Sequence, residues 1–228
     1  MKAGASRESR LENRADLPRL ISRGSQGTSA RRESRITKSK KEKTPGKAAT
    51  YIDAARYILG HLDGALRNFN GKKSTSFVKR LLSAKRIFIY GSGRSGLVGR
   101  AFAIRLLHLG LIVYVIGESI TPSIRKGDVV VVISRTGETY PVLVTAQIAR
   151  NMGIEIICIV ENEKSSIAKL SDLIIALPLK SDSERGKYAP LGTLFEIAAQ
   201  IYLDGIIAEL MALLNQTEND MYERHAVL

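Results

Sequence analysis

Two short segments concentrate hydroxyls and glycines: Gly91-Ser92-Gly93-Arg94-Ser95-Gly96 and Ser134-Arg135-Thr136-Gly137-Glu138-Thr139. Each follows an apolar run and precedes a stretch with helical spacing. A strand, a tight turn and a helix in that order bind phosphate. Glycines let the backbone approach an anion, and the first helical N–H groups and the helix dipole point at it. Ser92 and Ser95 add hydroxyls in the first turn, and Ser134, Thr136 and Thr139 add three in the second, beside the N–H groups near Gly137. A phosphomonoester presents three oxygens that each accept several hydrogen bonds, so this donor set suits a terminal phosphate. Serine and threonine also cap helices, and the first turn alone satisfies the dinucleotide fingerprint, with Glu118 as the acid about 20 positions on. Two such turns at the carboxyl ends of strands in one sheet would face one crevice, which favours a phosphorylated small molecule. Arg94 would balance the charge of a phosphate dianion, and Glu118 and Thr121, following the next strand, would line the same crevice.

The positioning elements are legible from periodicity. Arg86 to Tyr90, Leu111 to Ile116, Val129 to Ile133, Ile154 to Val160 and Leu173 to Leu177 are short and almost wholly apolar. Helical spacing appears near 96–109, 139–151 and 165–170, and a final helix is expected from about Gly192 to Leu214. Uninterrupted Val/Ile-rich strands separated by helices indicate a parallel sheet covered on both faces. The expected fold is α/β, a three-layer doubly wound five-stranded parallel sheet. A long amphipathic helix precedes it, with Ile52, Ala55, Leu59, Leu62, Leu66 and Phe69 on one face. A short helix to Leu82 follows, capped by Ser74 or Ser76.

Composition narrows the function. Of 228 residues, 44% are hydrophobic, enough for a sizeable core. The single cysteine, Cys158, lies in an apolar run, which excludes an intramolecular disulfide and fits a reducing, cytoplasmic location. The longest apolar stretch, Leu194 to Leu214, is interrupted by Glu196, Gln200, Asp204 and Glu209, so no membrane contact is expected. The net charge of +13 is uneven: residues 1–50 carry +9 and the other 178 carry +4. Residues 1–47 are poor in large apolar side chains, which predicts a disordered basic tail before a folded domain at 48–228. Such a tail could contact nucleic acid electrostatically, but it lacks the apolar positions for a folded DNA-reading helical domain.

The paired turns resemble those of the sugar isomerase (SIS) domain, the fold of phosphosugar-binding proteins. The resemblance extends through Ala101 to Gly110, Gly117 to Pro122, Pro190 to Glu196 and the closing Arg224-His225, and over residues 50–228 it is to the archaeal and bacterial 6-phospho-3-hexuloisomerases. It implies conversion of D-arabino-hex-3-ulose 6-phosphate to D-fructose 6-phosphate in the ribulose monophosphate pathway of formaldehyde fixation, or the reverse. It also implies no metal, no cofactor, and a homotetramer with an inter-subunit active site. Ser92, Ser134, Thr136 and Thr139 would hold the phosphate. Glu196 would be the catalytic carboxylate, and His225 a histidine supplied near the site by a neighbouring subunit. Thr136 stands where many such domains have serine, and keeps the hydroxyl. A sugar-phosphate-sensing regulator and another phosphosugar isomerase are the alternative readings, with a dinucleotide oxidoreductase last.

From the pattern alone, Glu196, Gln200 and Asp204 recur every four residues and read as the solvated stripe of an amphipathic helix. Only the resemblance promotes Glu196 to a base that removes the C2 proton, and His225 to a group that assists ring opening. His61 and His108 read as structural, with His108 as a cation favoured by a helix C-terminus.

Overall fold

The computed structural model describes residues 50–226; the expected tail at 1–47 lies outside them. Eight helices and five strands follow in chain order among the described residues: α1 Thr50–Leu66, α2 Gly71–Ser83, β1 Ile87–Gly91, α3 Arg94–His108, β2 Val113–Val115, β3 Val129–Ile133, α4 Tyr140–Asn151, β4 Glu155–Val160, α5 Ser166–Leu170, β5 Leu173–Ala176, α6 Arg185–Tyr188, α7 Thr193–Leu213 and α8 Glu218–Glu223. The strands form one parallel sheet in the order β2-β1-β3-β4-β5. The chain order reverses between β1 and β3, and a doubly wound sheet opens its ligand crevice at the carboxyl ends of the strands flanking such a reversal.

Alternation along the strands builds two cores. Ile87, Ile89, Val129, Val131, Ile133, Ile157 and Ile159 face one side and pack with Phe77, Phe102, Phe195 and Leu203 from α2, α3 and α7. Phe88, Val130, Val132, Ile156, Cys158 and Val160 face the other and pack with Val142, Ala149 and Ile167 from α4 and α5. Cys158 is fully buried, and desolvation pushes its thiol up to about 11, so it packs as a small apolar side chain.

The first helix differs from its expected orientation. Leu62 and Ala65 are its buried residues, Tyr57, Ile58 and His61 are half-buried, and Ile52, Leu59 and Leu66 are exposed. The buried stripe contains a tyrosine and a histidine because Asp182 satisfies both, accepting from Tyr57 Oη at 2.7 Å and meeting His61 Nε2 at 3.2 Å. A count of aliphatic residues overlooks such a face. Asn70, not Ser74 or Ser76, caps α2, its Oδ1 accepting from Lys73 N. His108 also departs from expectation. It is buried, and desolvation, aided by neighbouring His225 and Arg105, lowers its affinity for a proton, so it packs as a neutral ring at the end of α3.

A buried ion pair ties the base of β1 to β3. Arg86 donates from Nε and Nη2 to Asp128 at 3.0 and 2.6 Å, and Arg125 N donates to the same carboxylate at 2.6 Å. Desolvation, the largest single influence, raises the Asp128 pKa, but the hydrogen bonds and charge of Arg86 with the Arg125 amide outweigh it and hold the group below its ordinary value. Asp128 therefore contributes stability that is fully present above the unfolded carboxylate pKa of about 4 and lost as pH falls through the lower folded value. Asp128→Ala should cost about 3 kcal/mol in urea unfolding at pH 7, and the difference from wild type should shrink toward pH 3.

Candidate active site

Gly91 pairs with Ile133 across β1 and β3, so Ser92 and Ser134, the next residues of each strand, leave the sheet side by side. Adjacent strands lie about 4.8 Å apart, and the two turns therefore begin within one phosphate's reach of each other. α3 and α4 leave them on opposite faces of the sheet and bring both helix N-termini to the crevice.

The first turn is fixed by its glycines. A Cβ on Gly96 would lie 2.6 Å from Gly91 O, and one on Gly91 would lie 2.8 Å from Gly96 N, so the end of β1 and the start of α3 touch backbone to backbone. Gly93 has φ +57° and open space where a side chain would be, which leaves its face free for a ligand. Ser92 is exposed beside it, and Ser95 is buried in the first turn of α3.

The second turn is braced from within. Ser134 Oγ accepts from Gly137 N at 3.2 Å and lies 3.0 Å from Thr139 Oγ1, and Thr136 Oγ1 accepts from Glu138 N at 3.2 Å. Gly137 has φ +69° and sits so tightly on Ser165 that a Cβ would overlap that side chain. Glu138 accepts from Ser166 N at 2.8 Å, and this bond holds its carboxyl below the usual range. Thr139 occupies the N-cap position of α4 without using its side chain as a cap. Its hydroxyl is thus not spent on capping.

Glu196 enters from α7. The repeat Glu196, Gln200, Asp204 does not behave as one solvated stripe: Gln200 Nε2 donates to Asp204 Oδ2 at 3.0 Å, whereas the Glu196 side chain is only 12% exposed and forms an ion pair with Arg94 of the first turn. A Cβ on Gly192 would come within 2.7 Å of Glu196 Oε1 and 3.7 Å of Arg135 Cδ, so that glycine makes room for the carboxylate beside the second turn. Leu191, the preceding residue, is 88% exposed with φ +57°, a strained approach to α7. The structure thus gathers Ser92, Arg94, Ser95, Ser134, Thr136, Gly137, Thr139 and Glu196.

The other three candidates make contacts of their own. Glu118 pairs with Arg100 at 2.7 Å, and Thr121 donates its hydroxyl to Val115 O at 2.7 Å, stitching the loop after β2. His225 lies against His108, ring centroids 5.1 Å apart, at the far end of α3 from the first turn. Fifteen helical residues separate the two ends by about 22 Å. Conversely, the sequence reading missed Arg135 and Glu161. Glu161 follows β4, its amide donates to Arg135 O at 3.0 Å, and its carboxylate meets Arg135 at 3.5 Å and Arg185 at 3.2 Å. Its place just after a strand end was the available signal.

The profile of the SIS domain matches residues 80–196, from the end of α2 to Glu196 itself. A protein named 3-hexulose-6-phosphate isomerase from Methanocaldococcus jannaschii is 45% identical over 156 residues, covering 68% of this chain and 84% of the relative. One of the same name from Bacillus subtilis is 34% identical over 175 residues, covering 75% and 95%. A solved protein of Methanococcus jannaschii, whose structure is described as inferring a molecular function of 3-hexulose-6-phosphate isomerase, superposes with a TM-score of 0.68 at 40% identity, covering 78% of this chain and 98% of that one. With the profile ending on the same carboxylate that the fold brings to the paired turns, the chain belongs to the SIS domain family.

Proposed function

We propose that the chain interconverts D-arabino-hex-3-ulose 6-phosphate and D-fructose 6-phosphate, the step that relatives at 32–45% identity are named for. The observation that carries the reading is the juxtaposition of two phosphate-type turns with one sheltered carboxylate. A sensor of sugar phosphates needs the turns alone; moving a carbonyl needs a base within reach of the sugar carbons as well.

In this reading the two turns clamp the phosphate, with Ser92, Thr136, Thr139 and the N-termini of α3 and α4 as donors. The open-chain sugar then extends from the phosphate toward α7. Glu196 takes the C2 proton, the electron pair forms the C2=C3 bond, and O3 receives a proton to give an enediol. Return of a proton to C3 and loss of the O2 proton give the C2 carbonyl, so atoms and charge balance without redox change. Supplying 3-hexulose 6-phosphate without added metal or nicotinamide should give fructose 6-phosphate. A folded sample that forms none would reject the assignment.

His225 belongs to this proposal only through assembly. It cannot meet Glu196 of its own chain across the length of α3, so its role requires a neighbouring subunit in the proposed homotetramer. His225→Ala should lower kcat more than about tenfold with little change in Tm, since among the described residues its exposed ring makes one hydrogen bond, with the backbone oxygen of Ala226, beside its contacts with His108 and Tyr222. Arg224 is a different matter. Its Nη1 donates to His108 O, Gln216 Oε1 and Asp220 O, so removing it would loosen α8 and obscure the result. An unaltered kcat in the His225 variant would remove that residue from the mechanism. Among the described residues no helix is long and apolar enough to cross a membrane.

A further inference from the structure

Glu196 is closed on both sides. Its Oε1 lies against Gly192, and its Oε2 is buried without a hydrogen-bond partner among the described residues, although Arg94 Nε stands directly against it. The guanidinium therefore covers the carboxylate by charge and contact without an aligned hydrogen bond. The burial is one-sided: the Glu196 side chain is 12% exposed, and that of Arg94 is 65% exposed. A sugar carbon cannot approach Oε2 while the arginine stays there, and the arginine is the partner free to leave.

Arg94 also has a second claimant. It is the first helical residue of α3, immediately after Gly93, whose open face marks where the turn would admit a phosphate. A phosphate dianion carries more charge than one carboxylate and offers three acceptor oxygens to the same planar donor. One guanidinium on a flexible stem can serve either anion.

We propose that Arg94 is a substrate-operated latch, alternating between Glu196 and the phosphate of the sugar. This rests on the isomerase reading and deepens it: the phosphate not only anchors the substrate but draws Arg94 away and uncovers the base. Arg94 is a positioning residue that sets specificity for phosphorylated sugars. Because binding and uncovering are linked, each favours the other by the same factor.

A merely static phosphate ligand would behave differently, and unphosphorylated 3-hexulose separates the two. In Arg94→Ala, kcat/KM for 3-hexulose 6-phosphate should fall, as either role requires. Turnover of the unphosphorylated sugar should rise about threefold or more, because the base is no longer covered. Inorganic phosphite should accelerate the unphosphorylated sugar in wild type and not in Arg94→Ala. Arg94→Gln, which keeps the length of the stem, should repeat both results if the loss of charge is responsible. Unchanged or reduced turnover of the unphosphorylated sugar in both variants overturns the latch. Failure of the wild type to convert 3-hexulose 6-phosphate overturns the isomerase reading itself, so the two failures are distinguishable.

Discussion

Glu196→Gln is expected to lower kcat about 1,000-fold, within the 100- to 10,000-fold range typical of removing a positioned acid–base group. Glutamine keeps the volume and the planar end group, so the packing that α7 makes through Phe195, Ala198 and Ala199 should persist and Tm should hardly change. What disappears is the oxygen able to take a proton. KM for 3-hexulose 6-phosphate should stay within a few-fold of wild type, because the phosphate turns belong to other segments. A stopped or coupled assay for fructose 6-phosphate, with binding measured separately by calorimetry, distinguishes chemistry from affinity. Near-normal kcat would leave Glu196 as the ion-pair partner of Arg94 with no part in the chemistry.

The second large effect is expected at Gly96. Its missing Cβ would lie 2.6 Å from Gly91 O, and both partners are backbone, so no side chain can swing away. Gly96→Ala must push the start of α3 off the end of β1, the contact that shapes the first turn. KM should rise more than tenfold and stability should fall by about 2 kcal/mol, in the range for overpacking. Gly205→Ala is the matched control. That glycine is exposed inside α7 with open space at its Cβ position, so alanine there should stabilise by about 0.5–1 kcal/mol and leave KM alone. If Gly96→Ala bound substrate as wild type does, the turn would not be the phosphate cradle.

The strands were readable because each is apolar on both faces, a pattern that only a sheet covered by helices on both sides requires. All five expected runs contain the observed strands, apart from Gly91, one residue past the first, and α3, α4, α5 and α7 lie within two residues of their expected bounds. Two short helices, α6 and α8, were not anticipated. α8 did carry a signal, since Thr217 and Asp220 form a reciprocal capping box at the spacing that marks one. The orientation of α1 was misjudged for a different reason: Tyr57 and His61 face inward because Asp182, 121 residues beyond His61, satisfies them.

Both turns of the candidate site were legible, because glycines and hydroxyls between a strand and a helix have a local physical meaning. Which residues would join them was not. Glu118 was expected there on the strength of its strand end, and Arg100 holds it instead. Glu161 has the same credentials at another strand end and does stand beside the second turn, joined to Arg135.

By itself, then, the sequence determined the class of fold, the two phosphate-type turns and the absence of a disulfide-built scaffold, since all of these follow from short-range rules: periodicity, turn chemistry and cysteine count. Tertiary structure alone decided that Gly91 pairs with Ile133, so that the turns stand side by side, that Arg94 covers Glu196 across about 100 residues of chain, and that His225 ends up at the opposite end of α3 from Arg94 and Glu196. The physical reason is the same in each case. Sequence spacing sets what a segment can do locally, but proximity between distant segments is fixed by strand order and helix length, and those act only once the sheet has been assembled.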